Sequence, residues 1–272
     1  MHWPMKTMNE LGALVAFVER SFRLVRRYLA WEVVFLFYNI INTLTIGLIG
    51  YTAEPEARGE TVLFLVIGAL CWGFMAVLFE EVANTITWER WEGTIEYTFM
   101  APIRRITHLF GTCLFAILYG LVRTIAVLIA VAFFFDLPLQ QANLLGALAA
   151  VAAAGPAFMG LGLIAAVLPL LSPERGTQAT HIIQGVILLV SGIYYPVSVL
   201  PDWLQPLSLV SPGTYALEAA RAALLKGAGV PELLPDLLLL LGLGAILIPL
   251  GLWIFSVAER YAMRTGKLKR SG

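Results

Sequence analysis

The sequence predicts an all-α polytopic membrane protein. It is expected to have six transmembrane helices, an N-terminal interfacial amphipathic helix, and short re-entrant or outer helices between spans five and six. Three observations carry this. The chain of 272 residues is 59% hydrophobic and 13% charged, against roughly 45–50% and about 25% for a soluble domain. Uncharged apolar runs recur at the ~20 residues that a helix needs to cross a bilayer. The basic residues are sorted into alternate loops, as cytoplasmic retention of Lys and Arg requires.

Residues 1–29 form the cytoplasmic N-terminus. Leu11, Leu14, Val15, Val18, Phe22, Val25 and Leu29 repeat at helical spacing, with Arg20, Arg23, Arg26 and Arg27 on the opposite side of the wheel. That division suits a helix lying in the membrane interface. The transmembrane domain covers 30–258, with spans at about 31–52, 61–86, 106–135, 144–171, 179–195 and 237–258, and a loop at 87–105. A polar turn over 137–143 separates spans three and four. Span four is rich in Ala and Gly, which permits close helix approach, and Pro156 and Pro169 would kink it. Residues 259–272 are a basic tail. Of 18 Lys and Arg, 14 fall on the side of the termini, three (Arg58, Arg221, Lys226) on the other, and Arg123 within a span. Both termini are therefore expected in the cytoplasm. The first apolar run comes too late and is too long for a cleavable signal peptide.

Several functions are disfavoured. The 18 basic and 18 acidic residues cancel, so no nucleic-acid partner is expected. Cys71 and Cys113 make no disulfide framework. His2, His108 and His181 show no metal-ligand spacing, and no nucleophile-elbow motif argues for a membrane-embedded enzyme. No internal repeat suggests a secondary transporter.

Polar residues inside spans are costly and so face a partner or a cavity. Arg123 sits near the middle of span three. It either lines a translocation path or bonds a neighbouring helix. Glu32, Phe35, Asn39 and Asn42 share one face of span one, open to the same two readings. Glu80, Glu81 and Asn84 close span two, where surface ion pairs with Arg27, Arg104 or Arg105 are expected. Pro196, Pro201, Pro206 and Pro212 forbid an uninterrupted helix after span five. The stretch is still apolar, so it reads as short outer helices, then a helix from about Pro212 to Lys226. It is either an outer gate, with Tyr194, Tyr195, Pro196, Pro201, Trp203 and Pro212 as its residues, or an interfacial anchor.

The loop at 87–105 mixes Glu89, Arg90, Glu92 and Glu96 with Trp88, Trp91, Ile95, Tyr97, Phe99 and Met100. Gly93 can stop one helix and Thr94 can cap the next. Exposed aromatics on a loop suggest a docking surface or an interfacial anchor.

Glu89-Arg90-Trp91-Glu92-Gly93-Thr94-Ile95-Glu96, followed by Ala101-Pro102, resembles the loop of type-2 ABC exporter permeases. These are the membrane subunits of drug, polysaccharide and lipid-linked-glycan exporters. Gly192-Ile193-Tyr194-Tyr195-Pro196, Leu200-Pro201, Ser211-Pro212, Tyr215-Ala216, Arg221 and Gly227 agree with it, and the drug-exporter branch is nearest. The resemblance implies that Glu89, Arg90, Trp91, Glu92, Gly93, Thr94 and Glu96 contact a separate ABC ATP-binding subunit. It implies two copies of that subunit, a permease homodimer, and a place in a prokaryotic inner membrane. ATP and Mg would be bound by the partner, since no phosphate-binding loop occurs here: Gly266-Lys267 precedes Leu268. The expected function is ATP-driven export of a hydrophobic drug, natural product or lipid-like substrate by alternating access. The alternative is a polysaccharide or lipid-linked glycan.

Overall fold

The computed structural model describes residues 10–91, 105–135, 137 and 142–265. Among these residues the regular structure is helical, without strands. Five helical segments are long and apolar enough to cross a membrane: Leu29–Thr52, Arg58–Ala83, Thr107–Phe135, Leu144–Leu171 and Val230–Arg264.

Helix α1 (Glu10–Arg27) is separated from α2 (Leu29–Ile49) by Tyr28 alone. Its inner side lies on α4 (Arg105–Phe135). The Phe17 ring lies tilted against His108, with ring centroids 4.7 Å apart. Glu10 accepts a hydrogen bond from the Thr107 hydroxyl. The amphipathic lead-in is thus fastened to the start of α4, while Leu11 and Val15 stay exposed.

Helix α3 (Arg58–Trp91) is the axis of the molecule. It packs on α2, on α4 and on α5 (Leu144–Ala165). Its Phe74, Met75 and Leu78 sit in the core with Phe158, Leu163 and Leu217. The helix runs past residue 86, where the sequence reading ended span two. No proline lies between Pro55 and Pro102, so nothing in the backbone stops it at Glu80 or Glu81. Its 34 residues extend about 51 Å, well beyond a hydrocarbon core of about 30 Å.

Asn143 starts α5. Its side chain accepts from the Gly146 N–H at 2.9 Å and donates to the Ala228 carbonyl at 3.0 Å. Helix α5 stops at Ala165 because Pro169 has no N–H to continue the ladder. A short α6 (Val167–Leu171) follows. Next come α7 (Pro173–Val190), α8 (Gln205–Val210), α9 (Pro212–Lys226) and α10 (Val230–Arg264). The small residues of α5 receive α10. A Cβ on Gly160 would lie 2.5 Å from Leu247, and one on Gly244 would lie 2.6 Å from Pro156. Only backbones nearly in contact leave so little room.

The segment expected as span five differs. Helix α7 ends at Val190, not near 195, and its apolar part, Thr180–Val190, is shorter than a full crossing. Gly192 adopts φ +67°, which glycine alone tolerates easily. Tyr194 and Tyr195 therefore lie beyond the helix. The last helix is longer than expected at both ends. Pro231 occupies its first turn, where no N–H is needed, so the outer segment ends at Gly229 instead of 236. The helix continues beyond 258 to Arg264.

Candidate functional site

A cavity of about 1120 Å³ opens among α1, α2, α3 and α4. All five path residues named from sequence line it: Glu32, Phe35, Asn39 and Asn42 from α2, and Arg123 from α4. The helical spacing of the α2 residues puts them on one side, and α4 presents Arg123 to that side. The volume is at or above that of pockets for drug-sized ligands.

Glu32 and Arg123 are joined through Tyr119, a residue that sequence reasoning missed. The Tyr119 hydroxyl donates to the Glu32 carboxylate. Arg123 Nη1 donates to the same hydroxyl oxygen at 3.4 Å, a long and weak contact. Its guanidinium also lies 5.9 Å from the Tyr119 ring centre. Phe115 stacks on that ring at 5.5 Å with 14° between planes. Tyr119 is four residues before Arg123, so one helical face carries both. That spacing was the available signal. Asn39 bonds within its own helix, donating to the Phe35 carbonyl at 2.7 Å.

The surface ion pairs expected for Glu80 and Glu81 with Arg104 or Arg105 lie outside the described side chains; Glu80 and Glu81 themselves are half-buried. Both line the cavity. The charges that reach Glu81 are those of Glu32, Glu80 and Arg123. The continuous α3 helix moves this pair inside the bundle instead of ending it at a rim.

At the far end of α3 the chain forms a cap. Arg221 on α9 donates from Nη1 to the Gly192 carbonyl at 3.1 Å and from Nη2 to the Ile193 carbonyl at 2.7 Å. Its guanidinium stands 3.6 Å above the Phe64 ring centre, a cation–π distance. Gly68 admits this turn: a Cβ there would lie 2.1 Å from the Ile193 oxygen. The cap is stitched further by Ser208 to the Val190 carbonyl at 2.6 Å and by Ser191 to Ser211 at 2.7 Å.

Of the outer residues named from sequence, Pro212 is buried, Tyr194 and Tyr195 are half-buried, and Pro196, Pro201 and Trp203 are exposed. Tyr195 donates to the Leu189 carbonyl at 2.5 Å. Trp203 is 76% exposed. Arg221 and Tyr195 both bond to backbone carbonyls of the cap.

Glu89, Arg90 and Trp91 form the last turn of α3. Glu92, Gly93, Thr94 and Glu96 lie outside the described residues. The sequence matches the ABC-2 type transporter family over residues 13–225, more than half of the chain. The chain belongs to the ABC-2 type transporter family. No curated relative matches it. An ABC-2 type membrane domain is a transport permease that normally works with an ATP-binding subunit. The apolar helices make this one a multi-pass membrane protein. In this ABC-2 domain the cavity sets Glu32, Glu80, Glu81 and Arg123 among mostly apolar residues. A solute crosses only where the lipid is replaced by groups that can hold it.

Proposed function

We propose that this chain is the membrane subunit of an ATP-driven exporter. It moves a hydrophobic drug, natural product or lipid-like substrate out of the cytoplasm by alternating access. The observation that carries the proposal is the cavity lined by Glu32, Phe35, Asn39, Asn42 and Arg123 within an ABC-2 type domain. It lies between the helices that also carry Arg20, Trp88 and His108. The basic residues gather on that side of the sequence, so the cavity faces the cytoplasm and both termini are there. Helix α7 with the cap makes the sixth crossing. The opposite end is closed by the Arg221 cap, which serves as the outer gate.

Two copies of the permease pair in a prokaryotic inner membrane with two copies of a separate ATPase, which binds ATP and Mg. The last turn of α3, Glu89 to Trp91, continues into Glu92, Gly93, Thr94 and Glu96 as the surface that the ATPase pushes. Helix α3 is the lever, because it runs from this surface past Glu80 and Glu81 to Gly68 under the cap. A displacement at Trp91 is carried along a rigid rod to both ends of the path.

The test is co-purification with the ATPase encoded beside this gene, followed by ATP-dependent transport in inverted vesicles. Glu92→Arg and Gly93→Leu should uncouple the pair: complex-stimulated ATP hydrolysis and transport both fall, while the permease still folds. Failure of the two proteins to associate, or unchanged transport in both variants, would count against the proposal.

A further inference from the structure

We infer that the cavity among α1, α2, α3 and α4 is selective for organic cations with an apolar, aromatic-compatible body. The inference rests on the export reading and adds the charge class of the substrate. Three carboxylates line the cavity, Glu32, Glu80 and Glu81, against the guanidiniums of Arg20 and Arg123. Glu32 already accepts from Tyr119, which in turn accepts from Arg123. The Glu80 and Glu81 carboxylates have no hydrogen-bond or ion-pair partner among the described residues. Glu81 is half-buried and faces two like charges and one opposite charge. Carboxylates taken out of bulk water beside one another are unfavourable. A bound cation relieves that repulsion; a bound anion adds to it.

The surroundings suit a cation with a hydrophobic body. Trp72, Ala76 and Glu80 recur at four-residue spacing on the cavity face of α3. The stacked pair Phe115 and Tyr119 lines the α4 side. Aromatic faces beside carboxylates are the pairing that attracts a large, weakly hydrated cation. Between Trp72 and Glu80 the wall is hollow. A Cβ added to Gly73 would meet nothing within 4 Å, so open volume lies against the helix about two turns from Glu80 on the same face.

The experiment uses the full chain in lipid nanodiscs, without the ATPase, with empty discs subtracted. The probes are tetraphenylphosphonium and tetraphenylborate, which share a shape and differ in sign. The phosphonium should bind at least about tenfold more tightly, the effect of one carboxylate contact in a partly screened site. The double variant Glu80→Gln with Glu81→Gln should lose about that factor for the cation. Gly73→Phe, which grows into the hollow, should remove binding of the phosphonium altogether. Equal binding of the two ions, preference for the borate, or no phosphonium binding overturns the inference. So does phosphonium binding that survives Gly73→Phe. If the double variant does not fold, the cation-to-anion ratio of the unaltered chain and the Gly73→Phe result decide. These outcomes leave ATPase association untouched. Loss of charge selectivity with intact coupling sinks only the cation assignment, whereas loss of coupling with intact selectivity sinks only the exporter reading.

Discussion

Arg123 and Arg221 are both guanidiniums set within an apolar helical bundle, and the protein treats them in opposite ways. Arg221 has two carbonyl acceptors at 3.1 and 2.7 Å and an aromatic ring 3.6 Å away. Arg123 has one hydroxyl at 3.4 Å and faces a cavity of about 1120 Å³. A charge buried in this setting must be neutralised or solvated. At the cap the protein does this with fixed dipoles, which closes the end. In the cavity the groups are left reachable, so water or a ligand completes the coordination. The difference separates an arginine tied to backbone carbonyls from one that faces the cavity.

Replacing each arginine tests this contrast most strongly. Arg221→Met strands the Gly192 and Ile193 carbonyls and should cost about 3–5 kcal/mol, from two charge-assisted bonds and a buried polar turn. Arg123→Met should cost about 1 kcal/mol or less. Thermal unfolding in detergent reads both, and equal costs would break the contrast. Next in size are the two glycines of α3. Gly68→Ala drives a Cβ into the Ile193 carbonyl and should cost about 1–3 kcal/mol. Gly73→Ala faces open space and should leave stability unchanged or raise it by up to about 1 kcal/mol, the helix preference of Ala over Gly. A cavity-side glycine as sensitive as the cap-side one would mean that the void is filled.

Asn143 ties the start of α5 to the turn between α9 and α10, on the cap side. Asn143→Ala should cost about 1 kcal/mol through the lost helix cap, with faster amide exchange at Gly146 as the local readout. Tyr119→Phe should have the smallest cost of the destabilising changes, about 0.5 kcal/mol, because Glu32 can turn to water in the cavity. A loss as large as that at Arg221 would show that the Glu32–Tyr119–Arg123 relay is a closed structural network instead of an open one.

Much of this was legible along the chain. The apolar runs marked five of the membrane helices, and the polar turn read over 137–143 stops at the residue before α5 begins. The helix expected from about Pro212 to Lys226 is α9, with those same ends. The common face of Glu32, Phe35, Asn39 and Asn42 was readable because helical periodicity is local. The end of α7 was misjudged. An apolar run continues through Ile193 to Tyr195, and a left-handed glycine at 192 is invisible to a hydropathy reading. The same limit applied to Glu80 and Glu81. Two charges after an apolar run look like the end of a span, and only the packing of α4 and α2 beside α3 turns them inward.

The sequence by itself determined the membrane class, the helical elements and the family signal, because these follow from composition and short-range spacing. The tertiary structure alone decided which polar groups meet. Tyr119 reaches Glu32 across 87 positions, and Arg221 reaches Gly192 across 29. Such pairings depend on how helices dock, and docking is set by close approaches such as Gly160 on Leu247 and Gly68 on Ile193. The local pattern placed charge in the membrane; the packing determined that one arginine is tied down and the other left facing a cavity.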